Sequence, residues 1–194
     1  MAREVNYYYP VVDLISSEEK RELIKIFDDI DEFRYVQVEG SVDPTGKEGV
    51  SADLDDGQAK FTEVYLDRYP LCWDLVERYQ GSSWTFLYTK AGHGIWRHND
   101  YKEYRKCCIT FPLYPDYAEY ANTNFYDDLI QTESSAYLNY GLQRSPALLN
   151  VNKYHSVEES NVARLAFQIQ FLPEFDYEKV RSQLQARKLL STPV

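Results

Sequence analysis

This chain is short of positive charge, of sulfur and of long apolar runs. Lys and Arg number 21 against 31 Asp and Glu, a formal net charge of −10 at pH 7. Phosphate backbones and anionic lipid surfaces are held by an excess of cationic side chains, so no nucleic acid and no membrane surface is expected as a partner. No apolar stretch approaches the length that spans a bilayer. The first residues, Met1 to Tyr9, lack the charged-then-apolar layout of a secretory leader. Cysteine is limited to Cys72, Cys107 and Cys108, an odd number with two adjacent. That spacing makes neither a disulfide framework nor a zinc site, and it leads us to expect a reducing, cytoplasmic setting. Two further motifs fall short. Asp53-Leu54-Asp55-Asp56-Gly57 has the wrong spacing for a calcium loop and no closing Glu. Pro44-Thr45-Gly46-Lys47 lacks the upstream Gly and the following Ser or Thr of a phosphate loop.

What the chain does contain is apolar bulk. Hydrophobic residues make up 44%, and tyrosine alone occurs 18 times in 194 residues. A chain of this length and composition folds, with a single domain over 1–194 as the expectation. Ser16 and Glu19 form a capping box ahead of the apolar stripe Leu23, Ile24, Ile26, Phe27 and Ile30, which predicts a helix. Residues 33–38 alternate as a strand, 39–60 read as a loop, and 61–79 read as helical with Pro70 breaking that segment or opening its second piece. Strand signals then dominate at 83–90, 106–113, 135–140, 147–153 and 162–171, before an amphipathic helix over 176–190. The expected class is mainly β with flanking helices.

Strand parity sharpens the expectation. In 162–171 one face carries Leu165, Phe167, Ile169 and Phe171, and the other Arg164, Ala166, Gln168 and Gln170. In 106–113, Ile109, Phe111 and Leu113 oppose Cys108 and Thr110. A double-sheet roll, apolar towards its helices and polar towards an internal cavity, satisfies both strands.

The chemistry concentrates in few residues. Only three histidines occur, and two of them, His98 and His155, accompany Asp100 and Arg164. In an extended segment His98 and Asp100 leave the same face, and His155 reaches the same point only through non-local pairing. Two imidazoles and a carboxylate can bind one face of an octahedral ion and leave the other face open, the ligand set of non-haem Fe(II) oxygenases. Arg164, nine positions after His155, can grip a dicarboxylate at two points. His93 is expected in a loop and Arg105 at the surface.

These residues carry a resemblance. The segment 87–100, in which Tyr88 and Gly92 precede His98-Asn99-Asp100, resembles the stretch of 2-oxoglutarate/Fe(II) dioxygenases that presents the first two iron ligands, as in prolyl-hydroxylase-like members. The segment 155–169, from His155 through Arg164 to Ile169, resembles the stretch with the third ligand and the cosubstrate arginine. It is also similar to the corresponding part of aspartyl/asparaginyl β-hydroxylases, which commonly have no carboxylate ligand, whereas this chain has Asp100. The resemblance covers roughly 84–171.

It implies a double-stranded β-helix, a jelly-roll and cupin relative. It implies Fe(II) on His98, Asp100 and His155, and 2-oxoglutarate chelating that iron while its far carboxylate meets Arg164. O₂ would be consumed, succinate and CO₂ released, and a small-molecule or peptide substrate hydroxylated. Keeping Asp100 favours hydroxylation over halogenation. Many members place a Ser two residues after the arginine; here Ala166 stands there, and Tyr88 first, then Thr110, are the expected hydroxyl donors. Two other readings stay open from the residues alone: a cupin-type metal enzyme that does not use 2-oxoglutarate, and a non-catalytic jelly-roll binding protein. Asp100→Ala is expected to remove turnover and leave the fold intact.

Overall fold

The computed structural model describes residues 7–12, 15–30, 68–100 and 105–191, together with the backbone at 34–35, 41–42, 48–49 and 60–62. The expected loop over 39–60 lies largely outside these residues, as do both rejected motifs. Among the described residues no helix is long and apolar enough to cross a membrane.

Two antiparallel sheets face each other, each built from strands distant in sequence. The larger runs β1 (Tyr8–Pro10), β11 (Ala147–Leu149), β8 (Cys108–Tyr114), β13 (Arg164–Gln170), β6 (Ser83–Thr89), β5 (Lys60–Thr62) and β2 (Arg34–Tyr35). The smaller runs β10 (Ala136–Leu138), β9 (Thr123–Tyr126), β12 (Tyr154–Ser160), β7 (His93–His98), β3 (Ser41–Val42) and β4 (Glu48–Gly49). This is the expected mainly-β double-stranded roll with flanking helices.

Helices cover the outer face of the larger sheet. The helix α1 (Ser17–Asp29) starts at the expected capping box, with Glu19 N–H donating to Ser16 Oγ and Ser16 N–H to Glu19. Its Leu23 and Ile26, with Cys72, Leu75 and Val76 of α2 (Pro70–Tyr79) and Val180 and Leu184 of α4 (Tyr177–Ala186), pack on Ile109, Phe111, Leu165, Phe167 and Ile169. The apolar parity of β8 and β13 is therefore spent on the helices, and their polar parity turns to the space between the sheets.

Several expected boundaries shift for identifiable reasons. The helix expected over 61–79 begins only at Pro70, which takes the first helical position where its missing N–H is harmless, while Lys60–Thr62 is a strand beside β6. The segment expected as a strand over 135–140 ends at Leu138, because Asn139 caps a short helix, α3 (Tyr140–Gln143), by accepting from Leu142 N–H at 2.9 Å. His93 lies in β7, not in a loop. β7, β9 and β12 carry mixed polar and glycine residues without a clear period of two, and they are strands because their backbones pair with one another.

Candidate metal centre

The smaller sheet brings the two histidines together. β7 and β12 pair antiparallel with His155 opposite His98, and their ring centroids are 4.4 Å apart. His155 thus lies inside β12. Asp100 follows β7 and is tied down by its N–H donating to Val151 O at 3.0 Å. One ligating atom from each of His98, Asp100 and His155 lies within 4.8 Å of the others.

The backbone sets the imidazole protons. His98 Nδ1 sits 2.6 Å from Trp96 O, and His155 Nδ1 2.9 Å from Lys153 O. A carbonyl only accepts, so each Nδ1 is a donor and each Nε2 is the nitrogen left facing the cavity. Both Nε2 atoms face Asp100 Oδ1, at 3.5 Å from His98 and 3.9 Å from His155. Two imidazole nitrogens and one carboxylate oxygen converge on a point that a divalent ion can fill.

The other Asp100 oxygen is held by Arg105 Nε, and Arg105 Nη1 also donates to Gln168 Oε1 at 3.0 Å. The Arg105 side chain is only 13% exposed, so it is an internal counter-ion and not the surface residue expected. Nothing in the five-residue spacing of Asp100 and Arg105 signals this. Burial alone would raise the Asp100 carboxyl, but Arg105 and the two imidazoles overcome it and hold the group well below the usual carboxylate range. The fold therefore favours the charged form of Asp100.

His155 is displaced the opposite way to its charge. Burial first, then His98, brings its imidazole from the ordinary 6.5 down to about 4. The unfolded chain thus takes up a proton on His155 near pH 6.5, while the folded one resists until about pH 4. Stability from this group is complete above 6.5 and is lost as pH falls towards 4. Metal-free protein should lose on the order of 3 kcal/mol across that window. Urea midpoints measured at steps of pH check this; a flat profile there would mean that His155 protonates as freely folded as unfolded.

Glycine matters at one position of this pair. A Cβ on Gly94 would stand 2.6 Å from Val157 O, where β12 bulges against β7. That close approach keeps the two histidine strands in contact and leaves the His93 carbonyl to accept from Arg164 Nη2 at 3.1 Å.

Arg164 opens β13 and shares a cavity with the triad. It is 2% exposed, and its Nε and Nη1 have no hydrogen-bond partner among the described residues. Thr110 lines the same cavity, but its Oγ1 already accepts from Gln168 Nε2 at 3.0 Å. Tyr88 does not reach it. Tyr88 pairs opposite Leu165, on the face turned to the helices, and stacks on Phe27 with centroids 5.7 Å apart. Its neighbours Leu87 and Thr89 take the cavity side because strand side chains alternate. Two tyrosines that the sequence reading did not single out, Tyr120 and Tyr140, line the cavity instead. They come from a tyrosine-rich stretch with no periodic pattern to mark them.

No protein-family model matches the sequence, and no curated protein matches it. Solved structures do match in shape. A prolyl hydroxylase from Trichoplax adhaerens, in complex with a hypoxia-inducible-factor oxygen degradation domain peptide, superposes with a TM-score of 0.53 at 12% identity, over 94% of this chain and 91% of that one. The viral collagen prolyl hydroxylase of Paramecium bursaria Chlorella virus-1, solved with 2-oxoglutarate, gives 0.52 at 10% identity, over 84% and 94%. HygX from Streptomyces hygroscopicus, with nickel, 2-oxoglutarate and hygromycin B bound, gives 0.51 at 11% identity, over 87% and 82%. The chain has the fold of the 2-oxoglutarate/Fe(II) oxygenases. Within that double-stranded β-helix, the cavity between the sheets holds His98, Asp100, His155 and Arg164 together.

Proposed function

We propose that this chain is a single 2-oxoglutarate- and Fe(II)-dependent oxygenase domain that hydroxylates an amino-acid, peptide or small-metabolite substrate, consuming O₂ and releasing succinate and CO₂. One observation carries the reading: two imidazole nitrogens and one carboxylate oxygen meet in the cavity where the Nε and Nη1 of a buried guanidinium have no partner among the described residues. The donor set suits Fe(II), Mn(II) or Co(II) better than thiophilic metals. The unpaired guanidinium suits a carboxylate.

His98, Asp100 and His155 would hold the iron, and Arg164 the far carboxylate of the keto diacid. Bound iron supplies the activation of O₂ coupled to decarboxylation of the keto acid. The protein's own part is preparation. The Trp96 and Lys153 carbonyls accept from the two Nδ1 atoms and so turn both Nε2 atoms towards Asp100. Arg105 keeps the carboxylate charged and occupies its outer oxygen. The closely packed core of β8 and β13 keeps water away from their helix side. Three free, buried thiols accord with a reducing cytoplasm, which would also keep iron ferrous. One neighbour is in complex with a peptide and another has hygromycin B bound, which supports keeping both peptides and small molecules in the proposal.

The test is spectroscopic and then catalytic. Anaerobic Fe(II) with 2-oxoglutarate should develop the weak visible charge-transfer band of the chelate, and a screen of amino acids, peptides and small metabolites should yield succinate under O₂. Iron binding without that band would point to a metal enzyme that does not use 2-oxoglutarate; neither iron nor band would leave a binding module.

A further inference from the structure

Gln168 lies on the cavity face of β13 and is 4% exposed. Its amide is held at both ends. Oε1 accepts from Arg105 Nη1 at 3.0 Å, and Nε2 donates to Thr110 Oγ1 at 3.0 Å. A guanidinium only donates, so the amide can face it only through its oxygen. Thr110, paired opposite Gln168 on β8, is itself flanked by the Tyr140 hydroxyl and by Cys108 Sγ at 3.8 Å. Arg105 is thereby braced from the larger sheet, and its Nε donates to the outer oxygen of Asp100. That leaves Oδ1 to face the two Nε2 atoms.

The charges around the triad are lopsided. Among the described residues lining the cavity, Asp100 is the only acid, and Arg105 and Arg164 are both present. One negative and two positive side chains leave those walls formally positive before any ion enters. Burial opposes a charge on Arg105, but Asp100 outweighs burial and holds the guanidinium above its ordinary value. A positive charge set against the carboxylate ligand acts on a bound ion through Coulomb's law, and its effect grows with the charge of that ion. A trivalent ion is disfavoured more than a divalent ion of the same element. Arg105 and Asp100 are each only 13% exposed, so solvent and salt screen this weakly.

We infer that Arg105, braced by Gln168, biases the metal centre towards the divalent state, so that iron held by His98, Asp100 and His155 stays ferrous. The inference rests on the oxygenase reading for the identity of the metal. Arg105 and Gln168 are positioning residues, acting through the Asp100 carboxylate and not as ligands. Loss of one electron takes Fe(II) to Fe(III); the guanidinium supplies no electron and shifts only the balance of that couple.

The test is the reduction potential of the iron-loaded protein without keto acid, read by mediated titration of the high-spin Fe(III) resonance. Arg105→Gln keeps a donor for Asp100 and removes the charge. Gln168→Glu keeps an oxygen towards Arg105 and neutralises its charge in place. Both should lower the potential, raising the ferric-to-ferrous ratio at a fixed poise on the order of tenfold or more, the effect of a unit charge a few ångströms away in a partly screened site. Arg105→Lys keeps the charge and should stay close to wild type, a rescue that damage to packing would not produce. Where Arg105→Gln does not fold, Gln168→Glu against Arg105→Lys still makes the comparison. A wild-type potential in the neutralised variants overturns the inference, as does a fall in Arg105→Lys as large as theirs. Neither result touches the oxygenase reading, because no keto acid is present; that reading falls if the wild type takes up iron but gives no chelate band with 2-oxoglutarate. A wild type that takes up no iron overturns both.

Discussion

Asp100→Ala will abolish metal binding and succinate formation, and it will also weaken the fold. The first effect follows from removing the only carboxylate of the triad. The second corrects the expectation that a cavity-facing ligand can be deleted without structural consequence. Asp100 is the ion-pair partner of Arg105, and each of these side chains is 13% exposed. Taking one partner away strands a buried guanidinium, an effect of roughly 3–5 kcal/mol. Asp100→Asn keeps an oxygen for Arg105 to donate to and should recover part of that stability while still binding metal poorly. The double variant Asp100→Ala, Arg105→Met removes both charges and should recover most of it, again without metal binding. Urea unfolding with chelator present, paired with Mn(II) calorimetry, reads both effects. Wild-type turnover in Asp100→Ala would remove the residue from the site; wild-type stability would show that the Arg105 pair contributes nothing to folding.

Arg164 will behave in the contrary sense. Arg164→Lys should raise the 2-oxoglutarate requirement tenfold or more, because losing a two-point charged contact costs on the order of 1.5–3 kcal/mol. Arg164→Met should reduce diacid affinity further, yet ligand-free protein should be no less stable than wild type. Arg164 is 2% exposed and, among the described residues, its guanidinium donates to His93 O while Nε and Nη1 have no partner. Replacing such a group by an apolar side chain of similar length is commonly neutral or stabilising by about 1–4 kcal/mol. Residues placed for a ligand are often a burden to the unliganded fold. Melting of the ligand-free variant, with a 2-oxoglutarate titration, checks both halves. A marked fall in melting temperature would make Arg164 a structural residue; an unaltered titration would move the diacid elsewhere.

The legible parts of the sequence were those governed by local periodicity or by a short-range donor. The alternation of β13 separates Leu165, Phe167 and Ile169 from Arg164 and Gln168, and the fold turns the first set to the helices and the second to the cavity. The Ser16–Glu19 box marks the start of α1 because capping is completed within four residues. Tyr88 went astray at the same level: its distance before His98 looks right, but as the partner of Leu165 it must point to the helices. β7 and β12 escaped because their strand character lies in mutual pairing around Gly94 and not in side-chain alternation.

By itself, then, the order of residues determined which face of the long strands is apolar, where the first helix begins, and which scarce side chains could serve a metal and a diacid. Tertiary structure alone decided that Arg105 neutralises Asp100 and that Tyr140 stands in the cavity of Arg164. Alternation and capping act between residues a few positions apart, whereas these contacts join segments whose approach is set by how two sheets close on one another. No local pattern in the chain encodes that distance.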